Sequence, residues 1–300
     1  MFFASKLVAL ILVFTIGTSI IASASPVTPA ERESESASEA AEESAESAEL
    51  TLPFGFSLDT QMAVYSTRFR THGRSRARAH NVTRAAELLH QTIIAPHGTL
   101  SFNEAVGART RANGFRRAMV IDGGELVPGM GGGVCQVAST LYAAALGAGL
   151  DVVDARPHSR PSSYIPMGLD ATVSYPNLDL VLSNPFDFPI QVLAHASEGV
   201  MVVELIGQAR PIETSVRRRV LSRQPFEERI VEDPAMPVGT REVTQEGIRG
   251  ARIVVTRTLR DESGATREER NVVRYPPTDE IIRVGSQAPS GLARLTSWLR

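Results

Sequence analysis

The sequence predicts an α+β fold, with a mixed α+β domain followed by a smaller all-β domain. Three observations carry this reading. One strongly apolar segment, CQVASTLYAAALGA, runs from Cys135 to Ala148 and has the length and composition of a buried helix. Short β-branched runs, punctuated by turn residues, then follow up to Ile206, so strands come after helices instead of alternating with them. From Arg217 to Gly285 charged residues alternate with β-branched ones and no long helical period is visible. Five glycines, Gly239, Gly247, Gly250, Gly264 and Gly285, interrupt this stretch, which reads as all-β.

The elements are justified in order. Lys6, an apolar run from Leu7 to Ile21 and the small residues Ala22-Ser23-Ala24 form a signal peptide over 1–24. The run is short for a membrane span, so no stable membrane insertion is expected after cleavage. Residues 25–50 form an acidic Ser/Ala/Glu-rich linker. Between Glu31 and Glu49 it holds eight glutamates and no aromatic or large aliphatic side chain, and so cannot bury enough surface to fold alone. A first domain is expected over 51–210. It opens with a strand-like piece, LPFGFSLD, and an arginine-rich loop reaching Arg78. Asn81 then caps a helix running to Ile94, with Val82, Ala85, Ala86, Leu89 and Ile93 as its apolar stripe and Pro96 as its stop. Ala118–Ile121 and Glu125–Val127 form a hairpin about Asp122-Gly123-Gly124. The central helix from Cys135 ends at a Gly149 cap. Strands are expected at Asp151–Ala155, Ala171–Ser174, Leu178–Leu182, Ile190–Ala194 and Val200–Ile206. The all-β domain spans 211–286, and a tail over 287–300 holds a short amphipathic helix with Leu292, Leu295 and Trp298.

Charge narrows the function. The chain has 31 basic and 33 acidic residues. With Lys6, Arg32 and the eight linker glutamates set aside, the folded part carries 29 basic against 25 acidic residues, every cation an arginine. So mild an excess gives no argument for nucleic acid. In an exported chain one cysteine cannot form an internal disulfide. It is buried, paired with another chain, or a reactive thiol.

That cysteine lies in GGGVCQVASTLY. Gly131, Gly132 and Gly133 lead into Cys135 at the start of a helix, where free backbone N–H groups gather and the dipole favours thiolate over thiol. The same donors suit an oxyanion. A lone cysteine is commonly a small buried hydrophobe, yet three glycines are costly where only packing is wanted. His158, in the rigid polar loop RPHSRPSSY, is a candidate base or a surface histidine. Asp170 is a candidate for orienting the imidazole, or caps a turn after Gly168. Arg160 and Tyr164 are candidates for gripping a substrate carboxylate or carbonyl. No histidine or cysteine pair has metal-ligand spacing, and no phosphate or dinucleotide loop occurs, so no metal and no cofactor is expected.

From Asn81 to Gly207 the chain resembles the VanW family of exported bacterial proteins. The matching pieces, in family order, are TLSFNEAVGARTRANGF, GMGGGVCQVASTLYAAALGAGL, PHSRPSSYIPMGLDATV and DLVLSNPFDFPI. The family takes its name from a gene of glycopeptide-resistance clusters. The resemblance implies work on the cell wall and links the domain to L,D-transpeptidase activity. It sets the family's cysteine on Cys135, its histidine on His158 and its Asp-Ala-Thr piece on Asp170, Ala171 and Thr172. The later pieces VGTREVTQEGIRGARIVVTRT and YPPTDEIIRVG resemble the five-glycine (G5) domain, which implies binding at the wall, to amino-sugar glycan. The expectation is an exported cysteine L,D-transpeptidase, located in the periplasm or cell wall. Its partners would be peptidoglycan stem peptides and glycan. The alternatives are a non-catalytic wall-binding protein and a cysteine amidase or endopeptidase that hydrolyses stem peptides.

Overall fold

Alternation with a period of two builds the central sheet of the computed structural model, which describes residues 57–287 apart from residue 123. The expected signal peptide, linker and C-terminal helix, and most of LPFGFSLD, lie outside the described residues. β8 (Ile190–Ser197) buries Ile190, Val192 and Ala194, and β9 (Val200–Gly207) buries Met201, Val203 and Leu205. β1 (Thr60–Arg68) pairs antiparallel with β9, and β2 (Thr92–Ile94) with β8, giving the order β1-β9-β8-β2. β1 therefore occupies part of what reads locally as an arginine-rich loop.

Two helices cover this sheet. α1 (Arg76–Leu89) packs on β8 and begins before Asn81. Asn81 is not its cap. Its side chain is fully buried, accepts the N–H of Arg116 at 2.8 Å, and donates to the carbonyls of Arg116 and Gly132, both at 2.9 Å. These bonds run to another part of the chain and leave nothing for the helix's own N–H groups. The expected last turn to Ile94 is instead β2, entered through Gln91 in the left-handed region (φ 63°). α2 (Phe102–Val106) is a short turn capped by Ser101, whose hydroxyl accepts the N–H of Glu104 at 3.0 Å.

α3 (Val134–Ala148) lies against β1 and β9. Every residue of this helix is buried except Cys135 and Gly147. Its polar members are satisfied internally. Gln136 donates to Thr67 (2.8 Å) and to the carbonyl of Arg68 (3.0 Å), and Thr140 bonds Thr67 at 2.9 Å. The hairpin preceding α3 is longer than the sequence suggests, pairing β4 (Arg117–Asp122) with β5 (Glu125–Met130). Beyond α3, β3 (Thr99–Ser101), β6 (Asp151–Asp154) and β7 (Val181–Ser183) form a small sheet in the order β3-β7-β6. Ala171–Ser174 is not a strand. The N–H of Ala171 goes to the Ser139 hydroxyl of α3 (3.0 Å), that of Thr172 to the Arg156 carbonyl (2.7 Å), and Ser174 forms only an isolated bridge with Leu178.

The C-terminal part is all strand. β10 (Ile212–Gln224), β13 (Gly250–Asp261) and β14 (Thr266–Tyr275) form one antiparallel sheet. β11 (Glu228–Pro237), β12 (Arg241–Gln245) and β15 (Glu280–Gln287) form another, in which β11 and β15 run parallel. A Cβ at Gly285 would lie 2.0 Å from the Pro237 carbonyl, so only glycine permits that close approach. Ala251, Ile253, Val255, Val273 and Tyr275 join the same apolar core as α3. The seam is tight at the loop before Asp170, where a Cβ on Gly168 would lie 2.6 Å from Val255. Among the described residues, no helix is long and apolar enough to cross a membrane.

Candidate active site

The three glycines set the approach to Cys135. Gly131 (φ 76°) and Gly133 (φ 113°) take backbone conformations that side chains rarely adopt, and a Cβ on Gly132 would lie 2.4 Å from the Met119 carbonyl. The loop is thereby folded flat against β4 and turns directly into α3. In its first turn the N–H groups of Val134 and Gln136 are used, by the carbonyls of Gly131 (3.1 Å) and Gly133 (3.0 Å). Among the described residues the N–H of Cys135 has no backbone acceptor and remains available to an anion.

Cys135 is half-buried, in a helix whose other residues are buried except Gly147. Its Sγ lies 3.4 Å from the carbonyl of Val173. His158 faces the thiol and Asp170 lies behind His158, both almost fully buried. Asp170 Oδ2 accepts from His158 twice, from the backbone N–H and from Nδ1, each at 2.8 Å. A carboxylate at Nδ1 keeps the proton on that nitrogen and leaves Nε2 for the thiol side, where the Tyr164 hydroxyl lies 3.5 Å away. The other carboxylate oxygen, Oδ1, accepts from the hydroxyl of Tyr275, which in turn accepts the N–H of Gly168 at 2.7 Å.

The electrostatics follow from this geometry. Burial pushes the Cys135 thiol up, but His158, the Val173 bond and the Arg109 charge together bring it below its ordinary value. Burial pulls His158 down, and the bond to Asp170 with the Cys135 thiolate outweighs it, raising the imidazole to about 9. Burial raises Asp170, but the two bonds from His158 and the one from Tyr275 hold it below the usual carboxylate range. The lowered thiol, the raised imidazole and the lowered carboxyl all favour a thiolate–imidazolium pair held by an ionised carboxylate.

The structure thus brings Cys135, His158, Asp170, Tyr164 and the Gly131–Gly133 loop together. Arg160 is not among them, since its guanidinium reaches the Gly124 carbonyl in the hairpin turn at 3.3 Å. Three residues not suggested by the local sequence take part. Arg78 bonds Gln136 at 2.7 Å and lies over the Tyr164 ring at 5.6 Å. Arg109 packs on Gly131, and Tyr275 arrives from the last sheet. ARTRANGF, one of the pieces that carry the family resemblance, contained the signal for Arg109. Nothing local marks Tyr275.

Comparison with known proteins finds two matching segments. Residues 77–206 match the family model described as VanW like protein, and residues 215–287 match the G5 domain. The chain is 40% identical over 145 residues to the uncharacterized protein YoaR of Bacillus subtilis (strain 168), covering 48% of this chain and 47% of that protein. It is 25% identical over 136 residues to the vancomycin B-type resistance protein VanW of Enterococcus faecalis (strain ATCC 700802 / V583), covering 44% of this chain and 50% of that one. The chain therefore spans about half the length of the curated relatives it matches. Among solved structures, the G5 domain of an IgA1 protease aligns with 25% of this chain and 93% of its own length, at 24% identity and a TM-score of 0.19.

Proposed function

We propose that this chain, a VanW-like domain followed by a G5 domain, is an exported cell-wall protein that transfers acyl groups through Cys135. The observation that carries the proposal is the Cys135–His158–Asp170 arrangement, in which a buried carboxylate fixes the imidazole beside a thiol of lowered pKa. The thiolate attacks the carbonyl that precedes a terminal D-alanine of a peptidoglycan stem. The oxyanion forms at the free N–H of Cys135 and the glycine loop. The C–N bond breaks, His158 gives its proton to the departing amine, and D-alanine leaves a thioester on Sγ. An amine of a neighbouring stem then attacks the thioester carbonyl and gives its proton to His158. The C–S bond breaks, and the thiolate is restored with a new crosslink. The G5 domain holds the protein on wall glycan during this cycle.

Purified mature protein incubated with defined muropeptides and read by mass spectrometry tests the proposal. Crosslinked dimers with release of D-alanine are expected. Shortened monomers alone would make it a hydrolase, because water and an amine attack the same thioester. Unchanged substrate with retained wall binding would leave a binding protein.

A further inference from the structure

We propose that Arg109 is a carboxylate clamp, and that the peptide lying at Cys135 presents a free C-terminal carboxylate to it. This deepens the acyl-transfer reading and rests on it. The placement is geometric. The Cβ and Cγ of Arg109 lie 2.8 Å from where a Cβ on Gly131 would sit, so its side chain runs along the loop that leads into Cys135. Its guanidinium reaches over the rings of Phe102 (5.6 Å) and Tyr175 (5.9 Å). Tyr175 is two residues beyond Val173, whose carbonyl holds the thiol. Arg109 therefore stands between the two segments that flank Sγ.

The fork of Arg109 is only partly used. One nitrogen donates to the Gly107 carbonyl at 2.7 Å, while Nη2 is buried and has no hydrogen-bond partner. The nearby Asp179 carboxylate is committed elsewhere, accepting from Ser101 (2.5 Å) and from the N–H groups of Asn103 (2.9 Å) and Leu180 (2.8 Å). Among the described residues, no carboxylate lies within ion-pair distance of Arg109. A planar guanidinium with a buried free donor is matched by a carboxylate, which accepts two parallel bonds. Arg78, the other cation near the thiol, already spends its Nη2 on Gln136. A carboxylate held at Arg109 selects the last peptide bond of the chain. The enzyme would then be exo-acting, and peptides amidated or extended at the C-terminus would be poor substrates.

Paired alkylation of the full chain tests this without requiring turnover. In both iodoacetate and iodoacetamide the thiolate of Cys135 displaces iodide, but only iodoacetate carries a carboxylate. The ratio of the two rates should fall about tenfold in Arg109→Gln and less in Arg109→Lys, which keeps the charge without the fork. An unchanged ratio in both variants, or an equal fall in Arg78→Gln, overturns the clamp while the reactive thiol stands. No alkylation of the native wild-type chain by either reagent would overturn the thiolate reading and the clamp with it. Should Arg109→Gln fail to fold by circular dichroism, the wild-type chain suffices. Millimolar N-acetyl-D-alanine should then slow its alkylation by iodoacetamide and N-acetyl-D-alaninamide should not, and equal protection by the two rejects the proposal.

Discussion

The hydroxyl of Tyr275 donates to Oδ1 of Asp170, so the carboxylate that holds His158 is itself held from the C-terminal sheet. The two parts of the chain that match different families therefore meet at the candidate site. Burial beside the ionised Asp170 raises the phenol well above its ordinary pKa, so it remains a donor across the working range.

Tyr275→Phe removes that donor and leaves the N–H of Gly168 without its acceptor. The expected cost is about 1–3 kcal/mol of unfolding free energy, with Cys135 still open to alkylation. Urea denaturation checks the first part and labelling the second. An unaltered midpoint would show that Tyr275 contributes nothing to holding Asp170.

The alkylation midpoint of Cys135 should lie below the ordinary thiol value of about 8.5, and the rate should fall on acidification, because the thiol is lowered. Acylation by an amide substrate should instead decline as pH rises through about 9, where the His158 imidazolium loses the proton needed by the leaving amine. In His158→Ala the alkylation midpoint should move up towards the ordinary thiol value of about 8.5. Superimposable profiles for the two proteins would remove His158 from the mechanism.

Asp170→Asn keeps the size of the side chain but can present an N–H to Nδ1, which fixes the wrong tautomer. Turnover should drop by a factor on the order of 10³ to 10⁴, while the native circular dichroism spectrum is kept. A folded Asp170→Asn chain with nearly full turnover would mean the carboxylate is only structural.

Gly132→Ala places a methyl 2.4 Å from the Met119 carbonyl and 2.9 Å from the Ala118 carbonyl carbon. The hairpin or the loop must move, at an expected cost of about 2 kcal/mol or more, and thiol reactivity should fall with it. Wild-type stability together with wild-type alkylation would show that the glycine loop does not set the thiol's surroundings.

What the sequence determined by itself is what neighbouring residues encode. The central helix, the hairpin and the strands β8 and β9 are legible because their apolar periods and turn residues lie within one short window. Cys135 at a glycine-to-helix junction is legible for the same reason, and Gly131 and Gly133 do take left-handed conformations there. Tertiary structure alone decided the rest. Asn81 reads locally as a cap but is drawn inside to tie Arg116 and Gly132. Ala171–Ser174 reads as a strand, but Ala171 and Thr172 spend their N–H groups on Ser139 and Arg156. Arg160, close to His158 in sequence, points to the hairpin turn, whereas Arg109 and Tyr275 converge on the site from distant segments. The reason is that a charge or hydrogen bond acts over a few ångströms of space. Which side chains come within that range is settled when buried faces pack, and no local period records it.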